Sequence, residues 1–168
     1  MTAIHHPTPE TLAAFAAGTL DEPRAVVVAA HISLCAECRR AVHGFEHVGG
    51  ALLEGIEPAP MREDALERAL AATGTVIPPV HDDARPMAGA DASLPAPLAG
   101  YPLGPWRWVG RGVQWRSVGV PEVNDTRVFM LKAAPGTRLP HHRHKGIEWT
   151  CVFQGAFRHD LGRYGPGD

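Results

Sequence analysis

The chain has 168 residues, 45% of them apolar, enough for one ordinary domain or two small ones and too many for a disordered polymer. Sixteen basic and eighteen acidic side chains leave a formal charge of −2 with no lysine or arginine run, so direct nucleic-acid binding has no electrostatic footprint. The opening MTAIHHPTPE lacks the charged-then-apolar pattern of a secretory leader, and no apolar run reaches the roughly 20 residues that span a bilayer, so the expectation is a cytoplasmic protein with no membrane contact.

Thr8, Pro9 and Glu10 read as a helix start: a capping oxygen, a proline suited to the first turn and an acid near the positive end of the dipole. Leu12, Phe15, Ala16 and Leu20 follow as an apolar stripe that closes around Gly18. Asp21 and Pro23 open a second helix whose body, AVVVAAHISL, is apolar nearly all round, as a segment buried between others must be. A third helix is predicted from about Ala36 to Leu53, with Val42, Phe45, Val48 and Leu52 at helical spacing and Gly49-Gly50 weakening its second half. Beyond EPAP, the segment MREDALERALAA carries Met61, Leu66, Ala69 and Leu70 on one side of a short fourth helix.

The second and third helices hold the main chemical signal. In a reducing compartment three cysteines, two of them as C-x2-C beside a histidine, favour metal or redox chemistry over a disulfide framework. If the helix ran on unbroken, His31, Cys35 and Cys38 would share one face at i, i+4 and i+7. Two thiolates and an imidazole are three of the four donors of a structural tetrahedral zinc, which is redox-inert and accepts mixed nitrogen and sulfur ligands. The fourth must come from elsewhere: the N-terminal pair His5 and His6, or the i,i+4 pair His43 and His47 on the third helix.

An N-terminal histidine followed by H-x3-C-x2-C in a four-helix segment resembles the zinc-binding anti-sigma domain. The resemblance covers residues 1–72. It implies zinc on His6, His31, Cys35 and Cys38, with His5 open in place of His6, and an extracytoplasmic-function sigma factor as partner. In a bundle this small, structural zinc supplies folding free energy on the order of 10 kcal/mol and locks the first three helices together. The fourth helix lies outside that clamp, its stripe either packed on its own bundle or offered to a partner.

Residues 73–100 are rich in proline, glycine and alanine and read as a linker. From Tyr101 the runs GVQWRSVGV and TRVFMLKAA are strand-like, and a second, all-β domain is expected over 101–168. There Gly136, His142, His144, Glu148 and Gly155 form G-x5-H-x-H-x3-E-x6-G, which resembles the first conserved motif of the cupin barrel. His142 and His144, two apart on a strand, point the same way, and Glu148 returns after a turn at Lys145-Gly146, so three donors face one cavity. Imidazole with carboxylate suits a second divalent metal, whether zinc, iron or manganese. His141 faces the other way. Cys151 and Phe153 alternate with Val152, and Cys151 reads as strand packing, although a thiol three residues past a metal ligand is a candidate for oxidation. The cupin resemblance implies a second motif with a further ligand histidine, and the chain stops at YGPGD where that motif would open. A truncated barrel, and hence a fragment of a longer protein, is expected.

The fold class expected is therefore α+β and multidomain: a zinc-bound helical bundle followed by a partial all-β cupin. Together the two modules resemble the ChrR-type anti-sigma factors. The resemblance implies a regulator and not an enzyme: the bundle sequesters a sigma factor from RNA polymerase, and the cupin senses a stress signal, chiefly reactive oxygen, that releases it. A rival within that role is oxidation of Cys35 and Cys38 to a disulfide with loss of zinc. The alternative of another class is a metal-dependent cupin enzyme, dioxygenase- or isomerase-like, with an N-terminal zinc interaction module. Against it, nothing else in 101–168 reads as an acid–base set for a substrate.

Overall fold

A computed structural model describes residues 3–74, 94–138 and 146–168. The helices come first: α1 (Pro9–Ala16), α2 (Glu22–Leu34), α3 (Ala36–Glu54) and α4 (Ala65–Gly74). A 3-10 turn at Ala96–Leu98 leads into β1 (Arg107–Gly110), β2 (Val113–Ser117), β3 (Phe129–Ala133), β4 (Phe157–His159) and β5 (Gly162–Tyr164). The α+β order expected from sequence is the order observed. Most of the expected linker, residues 75–93, and the segment 139–145 with His142 and His144 lie outside the described residues.

The helix starts follow from their caps. Thr8 Oγ1 accepts from the Thr11 amide at 3.3 Å and Asp21 Oδ1 from the Arg24 amide at 3.0 Å, each ahead of a first-turn proline. α1 closes on Gly18, whose φ of +66° is the left-handed conformation that glycine adopts without a steric penalty. The unbroken helix through His31, Cys35 and Cys38 does not exist. Cys35 adopts φ −108°, ψ 106° and is the single residue between α2 and α3. Its amide still donates to the His31 carbonyl at 2.8 Å while its own carbonyl accepts from the Arg39 amide at 3.1 Å, so the closing hydrogen bond of α2 and the opening one of α3 are both made through one extended residue.

α1 packs mainly on α3, and α2 lies against both. Their shared core contains Leu12, Val28, Cys35, Cys38 and Val42, and Trp149 of the β domain packs into it. A second cluster joins Val26 of α2 to Leu98 and Val118, with Tyr101, Val128 and Met130 around them. The nearly uniform apolarity of α2 thus has a specific cause: one side faces the bundle and the other faces the β domain. Tyr101 Oη donates to Glu22 Oε1 at 2.9 Å at the edge of that contact. By contrast α4 packs on no other described helix or strand, and Leu66 and Leu70 are 71% and 62% exposed. Val48, Leu52 and Leu53 on the outer half of α3 are exposed as well.

In the β domain, β1, β2 and β3 form an antiparallel meander with Arg107 opposite Trp115 and Ser117 opposite Phe129. Gly112, at φ +75° in the β1–β2 link, is required twice over, since a Cβ there would sit 2.7 Å from Thr137 Oγ1. β4 and β5 make a separate hairpin in which Phe157 and Tyr164 stack at 5.1 Å. Among the described residues no helix is long and apolar enough to cross a membrane.

Candidate metal centre

Three elements bring four donors together. His31 stands in the last turn of α2, Cys35 at the α2–α3 junction and Cys38 in the first turn of α3, while His6 comes from the segment before α1. One donor atom from each lies within 4.8 Å of all the others. His6 Nδ1 is 3.5 Å from Cys35 Sγ and 3.3 Å from Cys38 Sγ, and the His6 and His31 rings meet nearly edge-on at 85° with centroids 5.7 Å apart. His31, Cys35 and Cys38 are buried; His6 forms the exposed side.

The chemistry of these groups fits a cation. His31 Nδ1 lies 2.6 Å from the carbonyl oxygen of Gly167, and since a carbonyl only accepts, Nδ1 carries the proton and Nε2 the lone pair. That Nε2 is buried with no hydrogen-bond partner. A buried acceptor left unsatisfied costs about 1–3 kcal/mol, a penalty that a bound metal removes. Burial lowers the His31 pKa, only partly countered by the Gly167 hydrogen bond, which favours the neutral ring a metal needs. Burial, followed by the adjacent Cys35 thiol, pushes Cys38 up to about 11, so a thiolate pair here calls for positive charge between the sulfurs. Two thiols and two imidazoles suit zinc, and a set of four protein donors leaves no open position for a substrate, as in structural sites.

The other sequence candidates are placed elsewhere. The Ile4 and His5 amides donate to Asp168 Oδ1 at 2.6 and 2.9 Å, and the His5 ring lies against Tyr164 at 4.4 Å, outside the donor group. On the exposed face of α3, His43 Nδ1 lies 2.8 Å from Glu46 Oε2 and His47 Nδ1 donates to the His43 carbonyl at 2.7 Å. Of the three expected cupin donors, His142 and His144 are outside the described residues, and Glu148 is exposed on a stretch that joins no strand. Cys151, also expected on a strand, is likewise in no strand and is half-buried.

Sequence reasoning missed the supporting groups. Gly167 lies 136 residues beyond His31, and no spacing rule connects them. Asp168 is still more remote from Ile4, 164 residues on, and its side chain is only 4% exposed. Burial raises the Asp168 pKa, but hydrogen bonds from the Gly165, His5 and Ile4 amides and the His5 side chain outweigh it and hold the carboxyl at about 2.

Comparison with known proteins agrees with this anatomy. Residues 10–39 match the family model described as a putative zinc-finger, and residues 103–168 match the ChrR cupin-like domain. The anti-sigma-E factor ChrR of Cereibacter sphaeroides is 38% identical over 178 residues, covering 100% of this chain and 78% of that protein. A chain in the crystal structure of Rhodobacter sphaeroides SigE in complex with the anti-sigma ChrR superposes with a TM-score of 0.81 at 36% identity, over 99% of this chain and 85% of its own length. With both modules matched in the same order and the full length aligned, the chain belongs to the ChrR family of anti-sigma factors.

Proposed function

We propose that this chain acts in the cytoplasm as an anti-sigma factor, binding an extracytoplasmic-function sigma factor through its helical half and keeping it from RNA polymerase. The observation that carries this reading is the end-to-end likeness to a chain from the complex of SigE with ChrR. The geometry supports it. Zinc on His6, His31, Cys35 and Cys38 ties the segment before α1 to the α2–α3 hairpin, and its chemical contribution is that of a cross-link. Outside the clamp, Leu52 and Leu53 of α3 and Leu66 and Leu70 of α4 stay exposed. An amphipathic helix with anchors four apart suits insertion into an apolar groove, and each such side chain contributes roughly 1.5–3 kcal/mol when fully buried.

In this reading the cupin-like half receives the signal, a reactive oxygen species, and lowers the grip of the helical half. His142, His144 and Glu148 would hold its own divalent ion, zinc, iron or manganese. The closed donor set of the N-terminal centre favours a regulator over an enzyme. The test uses Rhodobacter sphaeroides SigE as probe. The zinc-loaded chain is expected to form a one-to-one complex on gel filtration and to block transcription initiated by the SigE holoenzyme. Oxidant is expected to restore transcription. Absence of both complex and inhibition at micromolar concentrations would refute the reading.

A further inference from the structure

We propose that Gly165–Asp168 of the β domain is a positioning strap for the N-terminal metal centre, coupling that centre mechanically to the stretch that carries Glu148. The inference rests on the zinc reading above and extends it.

The backbone of the strap is fixed to the β domain. The Val152 amide donates to the Asp168 carbonyl and the Gly167 amide to the Val152 carbonyl, both at 2.8 Å. The Gly165 amide closes the turn on Asp168 Oδ2 at 2.8 Å. The same two residues also hold the helical half: the Gly167 carbonyl takes the His31 Nδ1 proton, and Asp168 Oδ1 takes the amides of Ile4 and His5, immediately ahead of His6. Four residues therefore orient one candidate ligand ring directly and fix the backbone that delivers another. The seat is close. Gly167 has φ +92°, and a Cβ on it would lie 3.3 Å from the Ala3 Cβ and 3.7 Å from the Leu34 Cβ.

Val152, which pins the strap, follows Glu148 by four residues, and Trp149 between them packs into the core around Cys35 and Cys38. A displacement of residues 148–153 consequently reaches the metal centre by two routes, the Trp149 side chain and the strap. Hydrogen bonds to the far nitrogen of a ligand histidine set its tautomer and orientation, and losing them costs about 10- to 100-fold in metal affinity. A change in the cupin-like half thus acquires a lever on the zinc clamp without any ligand being chemically altered.

The experiment measures zinc transfer from the full chain to a chromophoric chelator. Asp168→Ala removes the acceptor for Ile4 and His5, and Gly167→Val forces the strap off its seat; each is expected to speed zinc release about 10- to 100-fold. Asp168→Asn keeps a carbonyl oxygen for the two amides and is expected to fall nearer wild type. Val118→Ala, in the cluster away from the metal, serves as the control for general destabilisation. Nitrogen-15 spectra are expected to show a protected His31 Nδ1 proton in wild type and Val118→Ala, and its loss in Gly167→Val. Release from a zinc-loaded Asp168→Ala chain at the wild-type rate, or equal acceleration in Val118→Ala, would overturn the strap. A wild-type chain that takes up no zinc would overturn the metal reading as well.

Discussion

His31 donates from Nδ1 to the main-chain carbonyl of Gly167 across 2.6 Å, so a ring in the helical half takes its tautomer from the β half. The orphaned Nε2 and the two buried thiols then depend on the cation for compensation. Removing zinc with a strong chelator, or replacing Cys38 by Ser, is expected to cost several kcal/mol of stability, on the scale seen for structural zinc. Circular dichroism should show loss of α1–α3 signal and a fall in Tm of more than about 10 °C. An unchanged melting curve in the metal-free chain would remove zinc from the account of the fold.

The exposed face of α4 makes a separable prediction. Leu66 and Leu70 are largely exposed and α4 packs on no other described helix or strand, so the double change Leu66→Glu, Leu70→Glu should move stability by no more than about 0.5 kcal/mol per site. If this face enters a groove on the sigma factor, the same variant should bind at least about 100-fold more weakly, since buried apolar anchors dominate such interfaces. Titration calorimetry beside a melting curve separates the two effects.

Where sequence reasoning succeeded, the information was local. Thr8 and Asp21 announced their helices because a cap needs only a side chain and an amide three residues away. The donor set was legible for a related reason: H-x3-C-x2-C places three groups within two turns whether or not the helix is broken, so the extended Cys35 did not spoil the convergence. What spacing could not decide was His6 against His5. In the structure Asp168 takes the Ile4 and His5 amides, and the ring beside the thiols is that of the following residue, His6. The packing of the halves against each other was equally hidden. The apolar body of α2 signalled burial but not by what, and Val26 turns out to face Leu98 and Val118.

That contact should be energetically substantial. Leu98 is 3% exposed between α2 and the β meander, and Leu98→Ala is expected to cost about 2–4 kcal/mol. Tyr101→Phe, which leaves Glu22 to water at the exposed edge, should cost only about 1 kcal/mol. If the two halves unfold together because of this core, the wild-type chain shows one calorimetric transition, and Leu98→Ala separates it into two. A wild-type chain with two transitions would mean that the halves are energetically independent despite their contact.

Cys151 supplies a prediction in pH. Burial first, and the negative charge of Asp168 second, raise its thiol to about 11. At pH 8 the thiolate is then roughly one part in a thousand, so alkylation should be about 200-fold slower than for an exposed thiol with a pKa near 8.5, and should quicken about tenfold per pH unit up to 10. The sign for stability follows. Above pH 9 an unfolded chain releases this proton while the folded chain retains it, so the contribution of Cys151 to stability falls as pH rises from about 9 to about 11. The same burial protects the thiol from oxidants, which attack the thiolate. Mass spectrometry of the Cys151 peptide after timed iodoacetamide treatment reads the rate directly, and Asp168→Ala, which removes the nearby charge and loosens the strap against Val152, should increase it. Rapid labelling of the wild-type chain at pH 7 would instead show that the Cys151 thiol is accessible and ionised despite its burial.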